Sequence, residues 1–254
     1  MQFPRWAGRA ELERKRHRIY FRYALPFLLC FLGVASYTGA QKSSLEQGAF
    51  RIEIILEQFF EGKWTAVDPG LVLPGNAFVR FRLHTNFNGF LYAVNLGTNG
   101  NYTLLFPREE TGTQNRIEAD REYILPATEG GFRITGPPGY EIVYWLISPV
   151  ALQSGSEAIQ FPLQAPPLPS ARKPAGKLIP RCNDKMFRAR GECIDSSAGP
   201  QEVANAEDLP ENLAGMKGAV GRGLEFSRRE ETAVVSSQRS STAPVLFEFH
   251  LAHR

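Results

Sequence analysis

The sequence predicts an all-β fold, either an antiparallel β-sandwich or a partly open barrel, because three of its features agree. Apolar and polar residues alternate with a period of two in several runs, which is typical of half-buried strands. Turn signals rich in Asn and Gly separate these runs at short, fairly regular intervals. No amphipathic helical pattern of ordinary length lies between the runs, which favours an all-β class over a mixed one.

The alternation is clearest in residues 50–59, where apolar side chains should face the core and charged ones the solvent. Residues 77–85 repeat the same pattern. Later strands are predicted at residues 122–125, 132–135 and 140–148. The last of these is apolar on both faces, so we expect a central strand that is covered on both sides.

A hairpin is predicted around the turn Thr98-Asn99-Gly100, which separates the apolar run 90–96 from the run 102–107. Asn88-Gly89 marks the turn that leads into the first of these runs. Asn and Gly are favoured in such turns because both tolerate a positive φ.

The composition changes after Pro149. Residues 161–180 hold six prolines and should be extended, while residues 200–243 are polar, with one short helix expected near 202–216. The alternation returns at the end of the chain, and so apolar a strand would be prone to aggregation if it stayed unpaired. The sequence therefore predicts a single β domain at 45–254, with core strands in 50–148, a Pro-rich, disulfide-closed loop excursion at 150–243 and a returning strand at 244–252.

The N-terminus predicts export. A basic run precedes residues 24–40, which carry no charge and whose densely apolar part, residues 25–34, has the length of a signal-peptide core. Small residues before Ala40 favour cleavage there, so residues 1–40 are interpreted as a signal peptide of a periplasmic or secreted protein. The alternative is an uncleaved anchor at 24–40 that holds the protein in the inner membrane.

The distribution of charge argues against a nucleic-acid partner. The formal net charge is +3, but seven positive side chains lie before residue 24. From residue 41 onward, 22 Lys and Arg face 24 Asp and Glu. A near-neutral body offers no electrostatic attraction for a phosphate backbone.

Cys182 and Cys193 are the two cysteines beyond the N-terminal segment, and they lie eleven residues apart. In an exported protein such a pair most simply forms a disulfide. Free thiols are a second interpretation. A metal site is the third, with Asp184, Glu192 and Asp195 as the other nearby ligands, although no His lies close to them.

The remaining candidates for chemistry form no recognisable catalytic, cofactor or metal motif. His84, His250 and His253 have no spacing that binds a metal or orients a nucleophile. Residues 108–110 and 118–122 carry loop carboxylates, which could act as acid and base only if buried and opposed. Several aromatic residues could stack on a ligand but at strand spacing more often belong to a core, namely Trp64, Tyr92, Tyr102, Tyr144 and Trp145.

Three motifs resemble a bacterial family known as domain of unknown function 4384. They are Gly89-x-Leu91-Tyr92-x-x-Asn95, Leu105-Phe106-Pro107 and Gly136-Pro137-Pro138-Gly139. The resemblance implies an exported or membrane-associated protein with an accessory or recognition role, and it implies no catalytic residues. Members also carry the module beside caspase-like peptidase or kinase domains. No such domain is predicted in this chain, so the module should act alone or with another polypeptide.

These observations predict a non-catalytic binding or assembly module of the bacterial cell envelope that needs no cofactor. We expect it to recognise a protein partner through a sheet edge or loop surface, and to contact a membrane only through an uncleaved N-terminal anchor. The candidate interaction surface comprises Asn99, Gly100, Pro137, Pro138 and Tyr140. The alternative is an envelope hydrolase that uses the loop carboxylates on a β scaffold.

Overall fold

The structure is a computed structural model. It describes residues 50–152, 179–183, 185–189, 192–203, 209, 213, 223–237 and 244–254. The predicted signal peptide or anchor, its cleavage site and nearly all of the six-proline segment lie outside these residues, as does most of the helix expected near 202–216. No helix in the described part of the chain is long and apolar enough to cross a membrane.

The described residues form thirteen strands and one short helix. The elements in chain order are β1 (Phe50–Phe60), β2 (Lys63–Val67), β3 (Phe78–Thr85), β4 (Gly89–Leu96), β5 (Tyr102–Phe106), β6 (Arg116–Ile117), β7 (Glu122–Leu125), β8 (Phe132–Arg133), β9 (Gly139–Ser148), α1 (Lys185–Ala189), β10 (Gly199–Gln201), β11 (Leu224–Arg229), β12 (Thr232–Ser237) and β13 (Val245–His253).

The strands form two antiparallel sheets that do not close into a barrel. Sheet I has the order β11-β12-β1-β3-β7, with β2 added to β1 and β8 added to β3. Sheet II has the order β10-β13-β9-β4-β5, with β6 added to β4. The all-β prediction is confirmed.

The core lies between the inner faces of the two sheets. Phe81 of sheet I meets two rings of sheet II edge to face, with centroid distances of 5.0 Å to Trp145 and 5.6 Å to Phe249. The period-two pattern explains this core, because it puts every second residue of a strand on the same face. The fully buried side chains include Ile52, Ile54, Leu56, Val79, Phe81, Leu83, Val143, Trp145, Phe247, Phe249 and Leu251.

A second apolar cluster covers the outer face of sheet II. Tyr144 and Leu146 of β9 are buried there, and Leu209 and Leu213 pack against the same face. Strand β9 is therefore covered on both sides, as the apolar residues on both of its faces predict.

The last strand returns to the sheet as expected. Strand β13 lies between β10 and β9, and its register runs from Val245 opposite Ile147 to His253 opposite Gly139. The four alternating apolar residues Val245, Phe247, Phe249 and Leu251 all lie in the main core. Strand β13 is thus an interior strand of sheet II.

The interval 150–243, which we expected to be a loop excursion, contains three further strands, β10, β11 and β12. Strand β12 pairs with β1 from Phe50 opposite Ser237 onward and completes sheet I. The β11–β12 turn lacks the usual Gly, Asn or Pro signal, because two glutamates form it. One of them, Glu230, adopts a φ of 52°. Charged residues also make β11 a polar edge strand, which hides its alternation.

Cys182 and Cys193 form a disulfide, which confirms that prediction and excludes the thiol and metal alternatives. Replacing Cys182 by Ser should lower the free energy of unfolding by no more than about 3 kcal/mol, because the closed loop is short. Urea unfolding of the wild type and of Cys182→Ser measures the difference. The control is added reductant, which should destabilise the wild type and leave the variant unchanged. Ready alkylation of the native, unreduced protein would contradict the prediction.

Candidate functional site

Three polar side chains meet at one end of the inner face of sheet II. Asn95, Glu141 and His253 come from the neighbouring strands β4, β9 and β13, and each residue is only 1% exposed. Each is in step, by the period of two, with the apolar inner-face residues of its strand, so the pattern that builds the core also places these polar groups on the inner face. We call them the Asn95–Glu141–His253 cluster.

Glu141 is the centre of the cluster and accepts hydrogen bonds on both carboxylate oxygens. Asn95 Nδ2 donates to Glu141 Oε2 at 2.6 Å. Thr98 donates to Oε1 through its backbone N–H at 3.3 Å and its hydroxyl at 3.4 Å. Because a buried carboxylate is costly unless donors surround it, these contacts explain how Glu141 is tolerated. They also tie the loop after β4 to β9.

His253 faces the same carboxylate without bonding to it. Its Nε2 lies 3.7 Å from Glu141 Oε1, which is too long for a hydrogen bond. This Nε2 and Asn95 Oδ1 are buried and have no hydrogen-bond partner among the described residues. Burial lowers the pKa of His253, while the negative charge of Glu141 acts in the opposite direction. The lowered pKa favours a neutral imidazole at neutral pH.

The lowered pKa of His253 predicts how stability depends on pH. Below the unfolded-state pKa of about 6.5 the unfolded chain binds a proton that the folded protein resists, so protons favour unfolding. The contribution of His253 should therefore be complete above about pH 6.5 and decline as the pH falls towards the lower folded-state pKa. Urea unfolding at about pH 7.5 and about pH 5.5 measures this loss. The loss should shrink in His253→Gln and persist in His250→Gln; equal losses in both variants would contradict the assignment.

Two loops are held against each other beside this cluster. Gly136 has a φ of 111°, and a Cβ built there would lie 2.5 Å from Thr98 Oγ1. Residue 136 must therefore be glycine both for its backbone and for its contact. The first loop is closed by its own bonds, from Gly97 N to Asn101 O at 2.9 Å and from Gly100 N to Gly97 O at 2.8 Å.

The two loops present four of the five residues predicted as the interaction surface. Asn99 and Gly100 are exposed on loop 97–101, and Pro137 and Pro138 are exposed on loop 136–138. We call these four residues the loop-end surface. None of them carries a charge, so the surface offers neutral polar and apolar contacts.

The fifth predicted residue, Tyr140, lies elsewhere. It is half-buried on the face of β9 opposite Glu141, and its hydroxyl donates to Asp195 Oδ2 at 2.5 Å. Asp195 also accepts backbone N–H bonds from Arg181 at 2.5 Å and Ser197 at 2.9 Å. Burial and the bond to Asp195 raise the pKa of Tyr140. Burial alone would raise the pKa of Asp195, but the hydrogen bonds that its carboxylate accepts have the larger effect and lower this pKa. Tyr140 thus ties β9 to the disulfide region.

The other groups considered for chemistry are dispersed. Glu110 and Glu118 are exposed and pair with Arg108 at 3.0 Å and with Arg121 at 3.4 Å. His250 Nε2 lies 2.7 Å from Glu248. Within the described ranges, no three His, Cys, Asp or Glu side chains are placed to hold a metal ion. Trp145, Tyr144 and Tyr92 are buried, and Trp64 lies beneath the Arg80 guanidinium at 4.5 Å, as expected for packing residues.

Sequence reasoning missed Glu141 and the burial of His253. Glu141 is the single charged residue in the strand Gly139–Ser148. A lone charge in a strand that must be buried on both faces has to find donors, and this is the signal that could have drawn attention to it. The spacing of His253 in the sequence indicates no chemistry, but β13 carries this residue into the core beside Glu141.

Comparison with known proteins identifies one related family. No curated protein and no solved structure matches the chain. The model of the family described as Domain of unknown function (DUF4384) matches residues 73–151, which include Asn95, Glu141 and both loops of the loop-end surface but not His253. Over residues 73–151 the chain therefore matches Domain of unknown function (DUF4384), and the resemblance seen in the sequence is confirmed.

Proposed function

We propose that this protein is a non-catalytic binding module of the bacterial cell envelope and that it recognises a protein partner through the loop-end surface. The observation that carries the proposal is the buried Glu141 carboxylate, which holds loop 97–101 through Thr98.

A sandwich core does not need a buried charge, and taking a carboxylate out of water costs stability. Departures of this kind from the simplest stable sequence are expected at functional positions. Glu141 fixes the position of loop 97–101 through Thr98. Because Thr98 packs against Gly136, loop 136–138 is positioned as well. The stability lost by burying the Glu141 carboxylate therefore accompanies a fixed position of the exposed loop residues.

Ordered loops suit recognition. Binding residues lie disproportionately on loops that a rigid scaffold positions, and an already ordered loop loses less entropy when it binds. The exposed Asn99 and Gly100 can offer amide groups, and the rings of Pro137 and Pro138 offer rigid apolar contacts. This combination of groups favours binding to a partner polypeptide, folded or extended, whose surface is uncharged.

Two features support an envelope location. The basic run followed by an apolar segment at residues 24–40 resembles an export signal or anchor. The disulfide between Cys182 and Cys193 is typical of proteins outside the reducing cytoplasm. The alternative, an envelope hydrolase, would require carboxylates opposed at a cleft, whereas Glu109, Glu110, Glu118, Asp120 and Glu122 are exposed.

Site-specific photocrosslinking in cells tests the proposal. A photoreactive residue at position 99 or 138 should give the same discrete crosslinked protein. The same residue at Glu231, which is exposed on the β11–β12 turn of sheet I, should not. A crosslink at position 231 that equals those at 99 and 138, or no crosslinked protein at 99 and 138, would contradict the proposal.

A pair of glycine variants tests the contact between the loops. Gly136→Ala should lower the crosslinking yield several-fold, because the new methyl group would meet Thr98 Oγ1. Gly130→Ala is the matched control, since Gly130 has nearly the same φ of 113° but open space where the Cβ would lie. Both variants carry similar backbone strain, so a difference between them reports on the loop contact. Equal yields would show that the contact between the loops does not matter for binding.

A further inference from the structure

One oxygen of Glu141 faces two groups that can compete for it. Oε1 accepts the long bonds from Thr98 N and Thr98 Oγ1 at 3.3 and 3.4 Å, and His253 Nε2 lies 3.7 Å from the same oxygen. The other oxygen, Oε2, is held firmly by Asn95 at 2.6 Å. The carboxylate is thus fixed on one side and weakly held on the other.

A proton on His253 would change the balance at Oε1. An imidazolium carries an N–H on both ring nitrogens, so Nε2 would become a charged donor. A charge-assisted N–H···O bond is about 2.7–2.9 Å long, which requires Oε1 and Nε2 to approach by about 1 Å. The bonds from Thr98 are already longer than ordinary hydrogen bonds, so they would break first as Oε1 moves.

Among the described residues, the charged group that raises the pKa of His253 is Glu141. On β4 and the loop after it the neighbours of the carboxylate are Asn95 and Thr98, both neutral. The segment that bridges to His253 contributes Leu73, which is apolar, and Arg254 is exposed. Among the described residues, Glu141 is the ion-pair partner within 4 Å of His253.

The backbone of His253 is paired on both sides, whereas loop 97–101 is held by bonds within the loop and by Thr98. His253 pairs with Gly139 on one side and bridges to Leu73 on the other. Loop 97–101 depends on its own two backbone bonds and on the contacts of Thr98. Movement of Oε1 would therefore displace loop 97–101 more than the backbone of His253.

We propose that His253 is a proton-operated switch for the loop-end surface: protonated His253 takes Glu141 Oε1 from Thr98 and loosens loop 97–101. The regulatory meaning of the switch rests on the proposed function, because it acts on the surface assigned to the partner. Acidification of the surroundings would then weaken recognition by releasing loop 97–101.

Nuclear magnetic resonance of the purified full chain tests the switch without any partner. As the pH is lowered from about 8 through the titration of His253, the chemical shifts of the His253 ring and of the Thr98 amide should change with one shared midpoint. Across that midpoint the exchange protection of the Thr98 amide, corrected for the intrinsic effect of pH, should fall about tenfold or more. A Thr98 amide that does not respond when His253 titrates, or a His253 that stays neutral until the protein unfolds in acid, would overturn the proposal.

Two variants separate the switch from general effects of acid. His253→Gln should abolish the response of Thr98, and His250→Gln, on the opposite face of β13, should preserve it. Should His253→Gln fail to fold, the shared midpoint in the wild type still decides the question. If the crosslinking fails but the Thr98 amide responds to the protonation of His253, the proposed function is wrong and the switch remains. If the crosslinking succeeds but the Thr98 amide does not respond, only the switch is wrong.

Discussion

Deleting residues 244–254 is expected to unfold or aggregate the protein. Strand β13 lies inside sheet II and pairs with β9 along nine residues, so its loss opens the edge of β9 and uncovers the core. Each of its four inner apolar side chains contributes roughly 1.5–3 kcal/mol by burial. Their sum approaches the whole net stability of an ordinary domain, about 5–15 kcal/mol.

Circular dichroism and urea unfolding of the truncated protein measure this effect. Phe247→Asp should be nearly as destructive, because it puts an unpaired charge in the core. Glu248→Gln on the same strand is the control, since Glu248 points to the other face and Gln keeps its shape. A protein that ends at Pro149 and melts at the same temperature as the full chain would refute the structural role of β13.

Phe81→Ala is expected to lower the free energy of unfolding by about 3–5 kcal/mol. Phe81 is fully buried and joins the sheets through its ring contacts with Trp145 and Phe249. Removing its ring loses the buried area and the edge-to-face contacts and leaves a cavity that the neighbours fill only in part.

Phe60→Ala makes the same chemical change at a position that is 61% exposed and should alter stability by no more than about 0.5 kcal/mol. Urea unfolding of both variants under one set of conditions compares them directly. Similar losses for Phe60→Ala and Phe81→Ala would contradict the placement of Phe81 at the centre of the core.

Local pattern was sufficient for most of the fold. The alternation in β1, β3 and β13 predicts both the strands and their buried faces, because the side-chain period of a strand is set by the backbone alone. The apolar residues on both faces of β9 predict that both faces are covered, and the spacing of two cysteines predicts the disulfide. The exposed turn residues Asn99 and Gly100 were found from turn chemistry.

Only the tertiary structure decided which strands that lie far apart in the sequence become neighbours. The β11–β12 hairpin has no turn signal of its own, and β12 is placed by its pairing with β1. Glu141 accepts a hydrogen bond from Asn95, which lies 46 positions away in the sequence. It faces His253 because β13 pairs antiparallel with β9. A lone charge in an apolar strand shows that donors must exist, but the donors come from distant segments. Their identity therefore depends on strand order and register, which alternation within one strand does not encode.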